Sequence, residues 1–140
     1  LEHTPRLHLV KAKKGAVIFP KSGAAIATNN RGILGVDGYV VSHLMVLEAK
    51  KDIVIPEWLY WSLCQIDMME YNGNISYPAL QKAVVEKIKI PLPPPKEQKQ
   101  IVSLLEQQML AVEKSRIAAE EELQAIRALP AALLRKVLIS

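Results

Sequence analysis

Hydrophobic positions in the first half of the chain occur in short runs separated by turn-forming residues. The runs are rich in Val, Ile and Leu, and β-branched residues favour strands. Clusters of Pro, Gly, Asn and Asp lie between the runs, where the chain is expected to turn. The pattern predicts a small β-rich layer with strands at residues 15–19, 33–36 and 39–47.

A longer apolar segment follows, with the spacing of a helix. Within residues 58–69, apolar side chains recur at intervals of four and three, and a proline at the helix start is well tolerated. We predict a buried helix that ends in the Tyr-Asn-Gly-Asn sequence at 71–74, where Gly and Asn can adopt a left-handed C-cap. Residues 78–85 then predict a short helix, and 87–90 alternate as a strand.

The last third of the chain has the pattern of one long helix. The proline run at 91–95 stops regular structure and marks the predicted domain boundary. Residues 96–127 contain neither Gly nor Pro, and strong helix formers dominate. Apolar residues recur at spacings of three and four over four heptads, with Arg116 as one polar exception, which is typical of a coiled-coil seam. The predicted helix-pairing seam consists of Val102, Leu105, Met109, Val112, Ala119, Leu123 and Ile126.

This predicted helix is long compared with the domain that precedes it. About 32 helical residues extend roughly 48 Å, and a domain of about 95 residues can cover only part of that length. We therefore expect the seam to contact another helix, with packing wholly on its own domain as the alternative. Pro130 is predicted to kink or restart the helix. The apolar tail that follows it also needs a partner.

The net charge of +4 is unevenly distributed. Residues 1–36 carry a net charge of +5, with Glu2 as their one acidic residue, and the rest of the chain is close to neutral. A local basic patch favours a polyanionic partner and binding that weakens as salt rises, although a solvated surface without a partner is the alternative. The basic residues are Arg6, Lys11, Lys13, Lys14, Lys21 and Arg31.

Motifs that support catalysis are missing from the sequence. It has no phosphate-binding glycine loop, no metal-ligand spacing and no nucleophile motif, so we expect no catalytic residue, no metal and no cofactor. A cluster of Asp37, His43 and Glu48 is the one enzymatic alternative, although His43 fits better on one face of a half-buried strand. The single cysteine, Cys64, lies among apolar residues and is expected in the core.

No apolar run approaches the roughly 20 residues that a membrane span requires, and the N-terminus has no signal-peptide pattern. The sequence therefore predicts a soluble, cytoplasmic chain without a membrane partner.

The junction between the proline run and the long helix carries the most distinctive motif. The order of elements over residues 73–102 resembles the specificity subunits of type I restriction-modification systems: a Gly-containing loop, a short helix, an apolar strand ending in Pro-Leu-Pro, then Glu-Gln and Ile-Val opening a long helix. Residues 129–137 resemble the Leu-Leu-Arg ending of the same helix, although the aromatic residue and Gly that usually follow are replaced. Residues 14–18 and 56–63 fit more weakly. The motif residues are Ile90, Pro91, Leu92, Pro93, Pro94, Glu97, Gln98, Ile101 and Val102.

The resemblance implies target-recognition domains that are joined by long helices, which engage methyltransferase subunits. This chain has one such domain and one such helix, so the resemblance implies a half-subunit or a fragment that begins partway into the domain. Basic side chains would contact phosphates, and loop side chains would read base edges, Asn on adenine and Arg on guanine. For each loop Asn, a turn-forming role is the alternative. The candidate DNA-binding residues are Lys11, Lys13, Lys14, Lys21, Asn29, Asn30, Arg31, Tyr71, Asn72 and Asn74.

The sequence thus predicts an α+β chain, with a β-rich DNA target-recognition domain at 1–95 and a long coiled-coil spacer helix at 96–140. The predicted function is a non-catalytic specificity subunit that directs methyltransferase and restriction subunits to a bipartite site on double-stranded DNA. The helix would form a homodimer or pair with a second recognition half. The alternative is a coiled-coil interaction adaptor without DNA specificity.

Overall fold

The computed structural model describes residues 8–73 and 76–139. The chain divides into two compact units, of which the first ends at Val102 and the second begins at Ser103. The predicted α+β class is confirmed, because a small β-sheet region precedes one long C-terminal helix.

Within the described residues, five short strands form two antiparallel sheets. A two-stranded sheet pairs β1 with β4, and a three-stranded sheet has the order β3-β2-β5. The first strand, β1, was not predicted from the sequence. The strands are β1 (Leu9–Ala12), β2 (Val17–Pro20), β3 (Gly32–Ile33), β4 (Gly38–Val41) and β5 (Leu44–Leu47).

The single strand predicted over residues 39–47 is wrong, because a turn at Ser42 and His43 divides it into β4 and β5. The Ser42 N–H donates to the His8 carbonyl beside β1, and the His43 carbonyl accepts from the Lys21 N–H beyond β2. The two turn residues therefore bond to different sheets, so the chain changes sheet at this point. His43 lies in the turn rather than on a strand face.

Strand β5, the neighbour of β2, lies between two apolar clusters. Val17 and Phe19 of β2 are buried on one face, in the main core with Met45 and Leu63. Val46, on the neighbouring strand β5, packs against a smaller second cluster. Because β5 contributes to both clusters, its Leu-Met-Val-Leu sequence is apolar throughout rather than alternating. The smaller cluster is centred on Ala12, Ala16 and Val40.

Three α-helices and two 3-10 helices complete the described chain. The 3-10 helices pack against each other, and the main core receives Ile26 from one and Met68 from the other. The α-helices are α1 (Pro56–Cys64), α2 (Lys82–Val85) and α3 (Pro95–Ile139), and the 3-10 helices are Ala24–Thr28 and Met68–Tyr71.

Helix α1 is five residues shorter at its C-terminus than predicted. A continuing helix would need the Ile66 carbonyl and the Met68 N–H for its own ladder. The Ile66 carbonyl instead accepts from the Arg31 guanidinium at 3.1 Å, and the Met68 N–H donates to the Asn29 side chain at 3.1 Å. Partners from a distant loop therefore end α1 despite its helical pattern.

The prediction for residues 78–90 is only partly correct. Ala79 forms a β-bridge with Ser22, and the Leu80 N–H donates to the Lys21 carbonyl at 2.8 Å, so α2 begins only at Lys82. No strand forms at 87–90 in the described structure. Turn bonds from α2 extend to Ile88, and the prolines that follow cannot donate to a ladder.

The second unit consists of the remainder of α3 as far as Ile139. The helical assignment is continuous through Pro130, so the helix does not restart there, and a kink remains a prediction. Within the described residues, no helix is long and apolar enough to cross a membrane.

We expect Arg31→Ala to lower the free energy of unfolding by about 2–3 kcal/mol, since it removes bonds from two main-chain carbonyls and one side chain. The exposed control Lys14→Ala should change it by less than about 0.5 kcal/mol. Urea denaturation followed by circular dichroism measures both. Equal stability of the two variants would show that the Arg31 contacts are unimportant for folding.

Candidate nucleic-acid interface

The loop at residues 29–31 is held by the side chain of Asn29. Asn29 has a left-handed backbone, with φ of 51°, at the end of the first 3-10 helix. Its Oδ1 accepts from the Met68 N–H and from the Arg31 guanidinium, both at 3.1 Å, and its Nδ2 donates to Asp67 at 3.0 Å. These contacts fit the turn-forming alternative for Asn29 and leave its amide little capacity to read a base.

Arg31 is directed into the domain rather than towards solvent. Its guanidinium donates to the carbonyls of Asn30 and Ile66, at 3.0 and 3.1 Å, and lies over the Phe19 ring at 5.1 Å from the centroid. Desolvation by burial lowers the pKa of Arg31, while Cys64 and Asp67 act in the opposite direction. The predicted DNA contact of Arg31 therefore has no support from its geometry, which gives the residue a structural role.

Asp67 joins this loop to the second 3-10 helix. Its carboxylate accepts from the Asn29 side chain and from the Met69 N–H, both at 3.0 Å, and so caps the helix Met68–Tyr71. These two hydrogen bonds, followed by the nearby Arg31 charge, lower the pKa of Asp67. Two of the predicted DNA-reading segments, 29–31 and 71–72, are thus linked through one capped helix.

The second predicted loop is also anchored. Tyr71 is half-buried and packs against the main core. The Asn72 side chain accepts from the Ala79 N–H at 3.0 Å, which closes the loop between them. Asn74 lies outside the described residues. Asn30 remains exposed beside this anchored surface.

Lys13 and Lys14, two of the predicted phosphate-binding lysines, lie at the turn between β1 and β2, and Lys11 lies within β1. Lys11, Lys13 and Lys14 are all exposed. The turn is fixed because the Lys14 N–H donates to Asp37 at 2.8 Å and Gly15 adopts a φ of 85°. A side chain on Gly15 would be strained at that φ and would come within 3.2 Å of a proline ring.

Lys21 is separated from Lys13 and Lys14 by the length of β2. It follows β2 at the opposite end of the strand, and its main chain pairs with His43 and Leu80. The four-residue strand spans about 13 Å at 3.3 Å per residue. Lys13 and Lys14 on one side and Lys21 on the other therefore lie at opposite ends of β2 rather than in one patch.

The enzymatic alternative finds no matching geometry. Asp37 accepts from the Lys14 N–H, and the His43 ring lies 3.2 Å from the Ser22 hydroxyl. Across residues 8–73 and 76–139, no three His, Cys, Asp or Glu side chains are placed to hold a metal. Cys64 is half-buried, less than predicted, and burial raises the pKa of its thiol.

The side chains that hold the proline segment were not predicted from the sequence. The Trp58 indole donates to the Pro91 carbonyl at 2.8 Å, and Gln98 is fully buried against main-chain groups. Gln98 belongs to the Glu-Gln motif, which was the available signal. Asp67, three residues before Glu70, has the spacing of a helix-capping pair, but the continuous apolar pattern around it masked that signal.

The predicted seam is largely exposed in the second unit. Val102 has only 5% of its surface exposed within the first unit, so its predicted pairing role is not supported. Leu105 is half-buried. Arg116, the polar residue in the seam, pairs with Glu113 and Glu120 of its own helix. The exposed seam residues are Met109, Val112, Ala119, Leu123 and Ile126.

Because the pKa of Asp67 is lowered in the folded state, its contribution to stability is present above the ordinary value of about 3.9 and is lost as pH falls through the folded pKa. We expect the drop in thermal midpoint between pH 7 and pH 3 to be smaller in Asp67→Asn than in the wild type. Glu48→Gln, at an exposed carboxylate outside this network, serves as control. The same acid sensitivity in all three proteins would exclude the role of Asp67.

Comparison with known proteins places both units in one family. The family model for the type I restriction modification DNA specificity domain matches residues 5–122. The type I restriction enzyme MjaVIII specificity subunit of Methanocaldococcus jannaschii is 36% identical over 74 residues, which is 51% of this chain and 17% of that subunit. The chain therefore spans about one sixth of this relative.

Solved structures show the same fold. The HsdS subunit from Thermoanaerobacter tengcongensis matches with a TM-score of 0.67 and 26% identity, over 81% of this chain and 31% of that one. A chain from a study of complex assembly and conformational transition of the type I R-M system matches with a TM-score of 0.66 and 21% identity, over 83% of this chain and 29% of that one. Since the family model covers well over half of the sequence, this chain belongs to the type I restriction modification DNA specificity domain family.

Proposed function

We propose that this chain is the DNA-reading part of a specificity subunit of a type I restriction-modification system. The observation that carries the proposal is the family match, which extends through the β-rich region and into α3. In this proposal residues 1–95 recognise the target and residues 96–140 act as the spacer. The chain itself does no catalysis and works in the cytoplasm, where it directs methyltransferase and restriction subunits to a bipartite site.

The distribution of charge supports a DNA contact by the first unit. Up to Val102 the chain has 13 Lys and Arg against 9 Asp and Glu, and beyond it five of each, so the first unit carries the whole net charge of +4. Lys13 and Lys14 precede β2 and Lys21 follows it, and the four residues of that strand span about 13 Å, comparable with the roughly 12 Å width of the major groove. Lysines at opposite ends of such a strand would contact phosphates on both sides of a groove.

The geometry assigns different roles to the candidate DNA-binding residues. Lys11, Lys13 and Lys14 are exposed and would contact phosphates. Asn29 and Asn72 shape the loops from within. Base reading then falls to side chains that are carried on these fixed loops, with exposed Asn30 as the first candidate.

The function is tested by methylation of a random duplex library in the presence of a type I methyltransferase. We expect the wild-type chain to direct methylation to a fixed sequence. The variant Lys13→Ala with Lys14→Ala should lower the yield roughly tenfold at all sites alike, without changing that sequence, because lysine contacts to phosphate carry no sequence information.

Lys114→Ala, an exposed lysine of the second unit, is the matched control and should methylate as the wild type does. If the chain self-associates but methylation is the same as with the methyltransferase alone, that result would favour the interaction adaptor instead.

The seam of α3 is proposed to pair with a second copy or a second recognition half. Val112→Glu places a charge in the seam and should weaken self-association about 100-fold or more, a loss of roughly 2.7 kcal/mol. Leu110→Glu is the matched control, since Leu110 is equally apolar and exposed but lies outside the seam. Sedimentation equilibrium measures both. An equal loss in the two variants would mean that pairing uses another face of the helix.

A further inference from the structure

Gln98, in the first turn of α3, is a polar side chain that is completely buried. Its Oε1 accepts from the Ile55 N–H at 2.9 Å, and its Nε2 donates to the carbonyls of Ile53 at 2.8 Å and Pro93 at 2.7 Å. The amide thus pairs with residues 53–55 much as a neighbouring strand would, since it donates to one carbonyl and accepts from the N–H two residues later. Both ends of the side chain are occupied by main-chain groups.

These bonds connect three segments that lie far apart in sequence. They join the extended residues before α1, the proline run and the first turn of α3. The proline run has no N–H groups to donate between 93 and 95, so it can be held only through its carbonyls or by apolar contact. Gln98 holds the carbonyl of Pro93, and Trp58 holds that of Pro91. The proline run, whose composition is typical of a semi-rigid linker, is therefore fixed to the rest of the first unit.

The position of Gln98 at the start of a long helix gives these bonds a large effect. From residue 98 to 139 the helix extends about 62 Å. A tilt of about 10° at its first turn would move the far end by about 11 Å, which is roughly three base pairs at 3.4 Å each. A split site can be read with fixed spacing only if the first turn is fixed as well.

We propose that Gln98 is a positioning residue, which fixes the first turn of α3 to the recognition domain and thereby sets the spacing between the two halves of the DNA site. The effect on spacing rests on the proposed function, whereas the fixing of the first turn does not. Without Gln98, the Ile55 N–H and the carbonyls of Ile53 and Pro93 lose a shared partner, and of the two side-chain bonds described for the proline run only that from Trp58 to Pro91 remains.

The first test measures how well the helix is fixed, without DNA. Spin labels at Ala83 and Lys114, both exposed, report one distance per chain after Cys64→Ala removes the native thiol. Dilution with unlabelled chain suppresses distances between copies. We expect Gln98→Met, which keeps the length of the side chain but not its bonds, to broaden the distance distribution about twofold or more. Gln100→Met, at an exposed glutamine in the same part of α3, should leave it unchanged.

The second variant keeps the proposal testable if Gln98→Met does not fold. In Gln98→Glu, the acid retains an acceptor for Ile55 but meets two carbonyl oxygens, so its pKa should rise above the ordinary value of about 4.3. The protonated acid can donate to a carbonyl, and the carboxylate cannot. The distribution should therefore be narrow below this raised pKa and broaden as the acid ionises during a titration from about pH 5 to pH 10, while that of the wild type stays narrow throughout.

The third measurement uses the chain assembled with a methyltransferase, on split sites whose spacers differ by single base pairs. The wild type should prefer one spacer, and Gln98→Met should lose about tenfold of that preference. A folded Gln98→Met with unchanged label distances, or a Gln98→Glu distribution that does not change with pH, would overturn the positioning role. If the distances respond but no variant directs methylation, the proposed function fails and the fixed first turn stands.

Discussion

The burial of Phe19 on β2 is the contact on which the first unit depends. One side of the ring is enclosed by the main core, and the Arg31 guanidinium lies over it. In that position Arg31 donates to the Ile66 carbonyl. Asn29, two residues earlier, bonds to the Met68 N–H and to the Asp67 carboxylate. A small domain with strands of two to four residues has little sheet area to stabilise its loops. Here the contact between the Phe19 ring and the Arg31 guanidinium stabilises the loops instead.

This arrangement separates the framework of the surface from the side chains available to a ligand. Residue types that read bases elsewhere, Asn and Arg, are used here at positions 29, 31 and 72 to satisfy main-chain groups. An amide that already accepts two hydrogen bonds has little capacity left for a base edge. Loop composition alone therefore cannot separate side chains that fix a turn from side chains that are available to a ligand, because Asn and Arg are suited to both roles.

The features that could be predicted from the sequence depend on local periodicity. The four-heptad pattern and the absence of Gly and Pro identified α3, and the proline junction identified the family. The errors have another cause. The end of α1 at Cys64, the turn at Ser42 and the missing strand at 87–90 are each determined by hydrogen bonds to partners from another part of the chain, or by the lack of one. Such partners leave no periodic trace, and the burial of Gln98 leaves none either.

The hydrogen bonds that hold the start of α3 are made to main-chain groups, which affects how the sequence of the first unit can change over time. Gln98 bonds to N–H and carbonyl groups of Ile53, Ile55 and Pro93, and Trp58 bonds to a carbonyl of Pro91. Every residue presents a main-chain carbonyl, whatever its side chain. These hydrogen bonds therefore depend little on which side chains the bonded residues carry. Under the proposed function, mutation or recombination can replace loop side chains while the same main-chain bonds still hold the first turn of α3, so specificity can diversify without a new attachment.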